Sequence, residues 1–171
     1  MTTTTAAPIS EAEYLSTAYE LDCEYQYGVL IERNVGEQDH SWLEAALGAW
    51  FFRRRKLWNI EVYTAQTVRL RDGKYMIPDV CVTQGPRPAE RIFTSPPLIW
   101  IEILSREDRL IRVNEKISQV LDFGVPNVWV IDPETLEAEI YTSQGRRKIN
   151  DGVLRVEGTP IEVRLHDLDK D

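Results

Sequence analysis

Cysteine is scarce in this chain, with only Cys23 and Cys81 among its 171 residues. Two thiols far apart in sequence make neither a disulfide framework nor a zinc ligand set. Each lies in a strand-like run, so buried free thiols are expected, as suits a reducing cytoplasm. Long apolar runs are missing too. No stretch approaches the roughly 20 residues that a bilayer-spanning helix needs, which points away from a membrane. Positive charge is outweighed, with 20 Lys and Arg against 28 Asp and Glu and a net charge of −8. That argues against a protein that coats nucleic acid by bulk charge, although local basic patches can still meet phosphates. The first residues, Met1 to Pro8, lack the basic start and apolar core of a signal peptide. Residues 1–9 are read as a frayed tail and 10–171 as one domain, since neither a repeat nor a linker interrupts the rest.

Hydrophobic residues make up 43% of the chain, enough for one sizeable core. Ile9 to Tyr19 reads as a first helix, with Ser10 as its cap and Glu13 three residues on, as in a capping box. Tyr25 to Glu32 reads as a strand. Trp42, Leu43, Ala46, Leu47, Trp50 and Phe51 recur at helical spacing and predict a second helix from about Asp39 to Leu57. Short strands follow over Asn59–Thr64 and Thr67–Arg71, with a turn at Asp72-Gly73. Another strand is expected over Met76–Thr83, interrupted by Pro78.

The run Pro97 to Leu104 is almost wholly apolar, as in a sheet buried on both faces. Leu110, Val113, Ile117, Val120 and Leu121 form the stripe of a third helix, stopped by Gly124 and Pro126. Asn127–Asp132 is a second apolar strand, so this strand–helix–strand order suggests a parallel pair. Glu137–Thr142 returns as an alternating strand, and the remainder reads as short peripheral strands. Trp100 and Trp129 lie in the two strongest strands and are expected in the core.

Glu102 is the one charge in its apolar strand, and an ionised carboxylate there is costly unless paired or bound to a metal. A salt bridge to Arg106 or Arg109 is one solution. Asp79 is a second acid among apolar neighbours, in Ile77-Pro78-Asp79-Val80, where a turn aspartate is the plainer reading. Two such acids on adjacent strand ends would repel without a cation between them. A hard ion such as Mg²⁺ takes one or two carboxylates, several waters and a phosphate oxygen, which suits phosphoryl chemistry. Lys116 flanks the apolar stripe of the third helix. It is either a surface lysine or an amine that reaches the strand ends and stabilises charge there.

These pieces, ordered as Ile77-Pro78-Asp79-Val80, Pro97 to Ser105, Lys116 and Phe123 to Pro133, resemble the Uma-two family of restriction-endonuclease-like proteins in the PD-(D/E)XK nuclease superfamily. The likeness runs from Glu13-Tyr14-Leu15 to about Tyr141. It implies an α/β fold, a restriction-endonuclease-like core in which helices flank a central mixed β-sheet. It implies that Asp79 and Glu102 ligate Mg²⁺, or Mn²⁺ in its place, with the backbone carbonyl of Ile103, and that Asp79, Glu102 and Lys116 are catalytic. The superfamily's usual lysine position, two residues after the acid, is Leu104 here, so Lys116 would supply the amine from the following helix. Glu24, with Gly28, and His40 match less sharply and are accessory candidates, each with a plain alternative as a strand-edge charge or a helix-start residue.

Arg106, Arg109 and Arg112 lie next to the proposed site in sequence and are the candidate phosphate contacts. The resulting expectation is a Mg²⁺-dependent endonuclease hydrolysing DNA phosphodiester bonds. Dimerisation is expected by analogy, because cutting a duplex takes two sites. Two other readings stand beside it: a weak or inactive nuclease-fold module for binding or assembly, and a purely structural acid pair.

Overall fold

The structure, a computed structural model, describes residues 8–19, 22–33, 37–105 and 110–170; of residues 110–112 it describes only the backbone. The first helix, α1 (Glu11–Ser16), is capped as its sequence suggests, with the Glu13 amide donating to Ser10 Oγ at 3.1 Å. It is shorter than its pattern, because Thr17 already turns to extended backbone.

The run read as one strand over 25–32 is instead a hairpin, β1 (Cys23–Gln26) and β2 (Val29–Glu32). Tyr27 and Gly28 both have positive φ, 50° and 92°, as the tight two-residue turn between twisted strands requires. A Cβ at Gly28 would also meet Pro8 at 2.8 Å. The long helix α2 (Gln38–Trp58) starts slightly before the expected point and stops where Asn59 turns left-handed.

Next come β3 (Ile60–Thr64), β4 (Val68–Arg71), β5 (Lys74–Met76) and β6 (Val80–Gln84). The strand expected over 76–83 is thus split at Pro78. Proline donates no ladder hydrogen bond, and here the chain leaves one sheet for another. The remaining elements are β7 (Ile99–Ile103), α3 (Leu110–Phe123), β8 (Asn127–Ile131), β9 (Ala138–Thr142), β10 (Gly145–Ile149), and a small hairpin of β11 (Val153–Arg155) and β12 (Glu162–Arg164).

A six-stranded sheet has the order β10-β9-β8-β7-β6-β3, and a four-stranded one the order β2-β1-β5-β4. Among the described strands of this sheet β7 and β8 alone pair in parallel, so the central sheet is mixed, as a strand–helix–strand unit requires. Both its faces are covered, which explains the near-continuous apolar runs of β7 and β8. Ile99, Ile101, Ile103, Trp129 and Ile131 share a core with Leu43, Leu47 and Phe51 of α2. Trp100, Val128 and Val130 face the other way and share theirs with Ile117 and Val120 of α3. Cys23 and Cys81 are both buried, and burial pushes the Cys81 thiol up to about 12.

Candidate active site

Strand geometry brings the two acids together. The antiparallel pairing of β6 with β7 matches Val80 to Ile101, so one step further Asp79 stands beside Glu102. Alternation along β7 puts Glu102 on the face of Trp100, the side that α3 covers. On α3, Lys116 follows Val113 by three residues, which carries it to the same side.

The contacts are close. Lys116 Nζ lies 2.8 Å from Glu102 Oε1 and 2.7 Å from Glu24 Oε1, and donates to the Ile77 carbonyl at 3.2 Å. Trp100 Nε1 donates to Glu102 Oε1 at 2.5 Å. Glu24, buried on β1, accepts the Ile77 amide at 3.0 Å. Asp79, 4% exposed, accepts the Ile103 amide through Oδ2 at 2.7 Å. His40 Nε2 is 3.4 Å from the same oxygen, and the Arg33 guanidinium donates to Oδ1.

Two strands, one strand junction, two helices and the end of a third strand therefore converge on one spot. Asp79, Glu102, Lys116, Glu24 and His40 all gather there. Among the described residues the partner of Glu102 is Lys116. Arg106 and Arg109 lie outside the described residues, and for Arg112 only the backbone on the first turn of α3 is described. The basic run Arg53 to Lys56 is elsewhere. Thirteen residues separate His40 from Arg53 along α2, about 20 Å of helix. Arg54 there stacks on Trp50 at 3.6 Å.

The electrostatics follow from burial and proximity. Burial pushes the Glu102 carboxyl up to about 7; Lys116 opposes this while Asp79 and Glu24 reinforce it. Burial would also lower the Lys116 ammonium, yet Glu102, Glu24 and Asp79 hold it above the ordinary lysine value. Asp79 is held below the usual carboxylate range, because His40, Arg33 and Lys116 outweigh its desolvation. His40 is raised by its bond to Asp79. Glu44, one helical turn on, is raised by burial and by Asp79.

Three carboxylates thus face two permanent cations, Arg33 and Lys116. Among the described residues, no three His, Cys, Asp or Glu side chains form a ready ligand set for an ion. The protein's share would be Asp79 and Glu102, hard oxygen donors in the small number that Mg²⁺ takes. His40 meets Asp79 through Nε2, and its other ring nitrogen, Nδ1, is buried without a hydrogen-bond partner. Donor type, donor number and the surplus negative charge fit a divalent cation, which would compete with Arg33 for Asp79. A cavity of about 180 Å³ adjoins the site, lined by His40, Leu104 and Ser105 and by the acids Glu37, Asp39, Asp132 and Glu134.

Arg33 is the site residue that sequence reasoning missed. It ends the β2 hairpin, and its only signal was a cation closing an apolar run. The Trp100 indole was assigned to packing alone, yet it also donates to Glu102.

The fold, a mixed sheet held between helices, is similar to that of a solved structure described as a "putative nuclease belonging to DUF820" from Anabaena variabilis. The two chains superpose with a TM-score of 0.80 over 95% of this chain and 98% of that one, at 22% sequence identity. The chain belongs to the Uma2 family, described as "Putative restriction endonuclease", whose pattern matches residues 12–165. No curated protein matches it. Family and fold together place it among restriction-endonuclease-like proteins. Among the described residues, no helix is long and apolar enough to cross a membrane.

Proposed function

We propose that the chain is a Mg²⁺-dependent endonuclease that hydrolyses phosphodiester bonds in DNA at the Asp79–Glu102–Lys116 centre. One observation carries this reading: the buried Asp79 and Glu24 and the largely buried Glu102, from separate strands and junctions, are drawn onto one lysine and one arginine, an arrangement that costs folding energy and suits a divalent cation and the phosphate it would hold. Asp79 and Glu102 would hold the ion, with the Ile103 carbonyl as a third oxygen. When bound, such an ion polarises a phosphoryl oxygen and lowers the pKa of an attached water.

The chain's own groups do the rest. Asp79 is oriented by the Ile103 amide and by His40, so its carboxylate does not rotate freely. Lys116 is aimed by Glu24 and the Ile77 carbonyl, with its charge fixed on the inner end of the site. An ammonium held there stabilises negative charge that develops on a phosphate and orients an attacking water. Glu24 is thereby a positioning residue. In-line attack would leave a 5′-phosphate and a 3′-hydroxyl.

The test is cleavage of plasmid and single-stranded DNA by purified protein with Mg²⁺ or Mn²⁺. Activity that is equal in wild type and Asp79→Ala would remove this site. A second reading, a nuclease fold retained as a binding or assembly module, is favoured by Arg33 lying on Asp79. Calorimetry separates the two: metal uptake that Asp79→Ala abolishes supports the enzyme, and no uptake supports the module.

A further inference from the structure

Lys74 is as buried as Asp79, at 4% exposed, yet no carboxylate pairs with it among the described residues. It donates no hydrogen bond there either; its ammonium meets only the face of the Tyr27 ring, at 5.9 Å. Nor is it one of the polar atoms sealed from solvent without a partner. Burial lowers its pKa and Arg71 adds to that, with Glu24 working against both. A buried, unpartnered cation is expensive to fold around.

Its place in the sheet says what would repay that cost. The β1–β5 register pairs Tyr25 with Tyr75 and Gln26 with Lys74. Tyr25 and Tyr75 face Tyr14 of α1. Alternation therefore turns Lys74 to the opposite face, together with Glu24, Gln26 and Met76. Glu24 on that face holds Lys116. Lys74 lies two strand positions along from Glu24's level, about 7 Å, in the direction of the turn that carries Tyr27. Tyr27 is 60% exposed, with Arg71 and Lys74 each 5.9 Å from its ring. The face thus runs from the acid cluster to a cation without an anion and then to an open aromatic ring. That spacing and chemistry match a nucleic-acid strand, whose successive phosphates need point charges and whose bases stack on rings.

We propose that Lys74 binds a phosphate next to the one cleaved, so that the bound strand passes from the Glu24–Asp79–Glu102 centre along this sheet face toward Tyr27. The assignment rests on the nuclease reading above. It is tested by fluorescence anisotropy with a labelled single-stranded DNA 12-mer, across a salt series, with Ca²⁺ in place of Mg²⁺. Lys74→Met should weaken binding about tenfold at low salt and flatten the slope of log affinity against log salt by about 0.7, the signature of one lost contact to a single strand. Lys74→Arg should keep the slope. The melting temperature of Lys74→Met should be equal to or above that of wild type, because an unpaired buried charge has gone. A lowered melting temperature with an unchanged slope would mean a structural lysine and overturn the assignment. If Asp79→Ala abolishes cleavage while Lys74→Met leaves the slope intact, the Lys74 assignment alone fails. If wild type binds no DNA, both readings fall.

Discussion

Along β9 and β10, acids and bases also alternate. Glu137 meets Lys148 at 3.0 Å, Glu139 meets Arg146, and Arg147 reaches Glu157 at 3.2 Å. Lys116 with Glu24 and Glu102 looks similar as a list of distances. The surroundings differ. On the β9–β10 ladder most partners are more than half exposed, the charges match one to one, and water screens what remains. In the acid cluster the same residue types are withdrawn from water, the acids outnumber the permanent cations, and the carboxyls are driven in opposite directions, Asp79 down and Glu102 up. Ion pairs of equal length therefore mean opposite things. On the ladder they are interchangeable decoration of a sheet edge. In the cluster each removal leaves a buried charge without its partner.

Four substitutions probe that contrast, in falling order of effect. Asp79→Asn keeps an acceptor for the Ile103 amide but gives up the charge, and should lower DNA cleavage at least about 100-fold in a plasmid-nicking assay. Lys116→Met leaves Glu24 and Glu102 facing each other. Urea denaturation in EDTA should show a loss of about 3–5 kcal/mol, part of which Mg²⁺ restores. An equal loss with and without Mg²⁺ would mean that no ion enters the cluster.

The third variant uses pH. Glu102 keeps its proton longer in the folded chain than in the unfolded one, so between about 4.5 and about 7 the native state binds more protons and stability falls as pH rises. Across that window the fall should reach up to about 3 kcal/mol, and in Glu102→Gln the profile should flatten. The smallest effect belongs to the ladder. Burial would raise Glu139, but Arg146 and Tyr141 hold it below the usual carboxylate value. Its contribution is present above that value and fades as the pH falls through its folded pKa. Glu139→Gln should shift the melting temperature at neutral pH by less than about 2 °C, and the difference should vanish in acid. A shift as large as that of Lys116→Met would erase the distinction between the two regions.

Much of the architecture was legible because burial on both faces writes itself into β7 and β8 as apolar runs, and because α3 carries a strong helical stripe. The hairpin at Tyr27-Gly28 was not, since Tyr is an unusual residue for a left-handed turn position and the flanking pattern runs on without a break. Nor was the split at Pro78: both halves read as strand, and which sheet each joins depends on partners distant in sequence. The cluster was half legible. Glu102 and Asp79 announce themselves as charges among apolar neighbours, whereas Arg33 sits at a strand end where a cation is ordinary. Lys74 follows a turn glycine, and no local pattern there marks the lysine as buried.

The order of residues by itself determined most of the helices and strands, the covered central strands and the two acids that could not be buried without a partner. Those are consequences of local periodicity and of the cost of removing charge from water. Which cations answer those acids was decided only by the fold, since Arg33, His40 and Lys116 reach Asp79 and Glu102 through strand register and helix packing between segments far apart in the chain. Short-range patterns encode what a segment buries, but not which distant segment arrives to meet it.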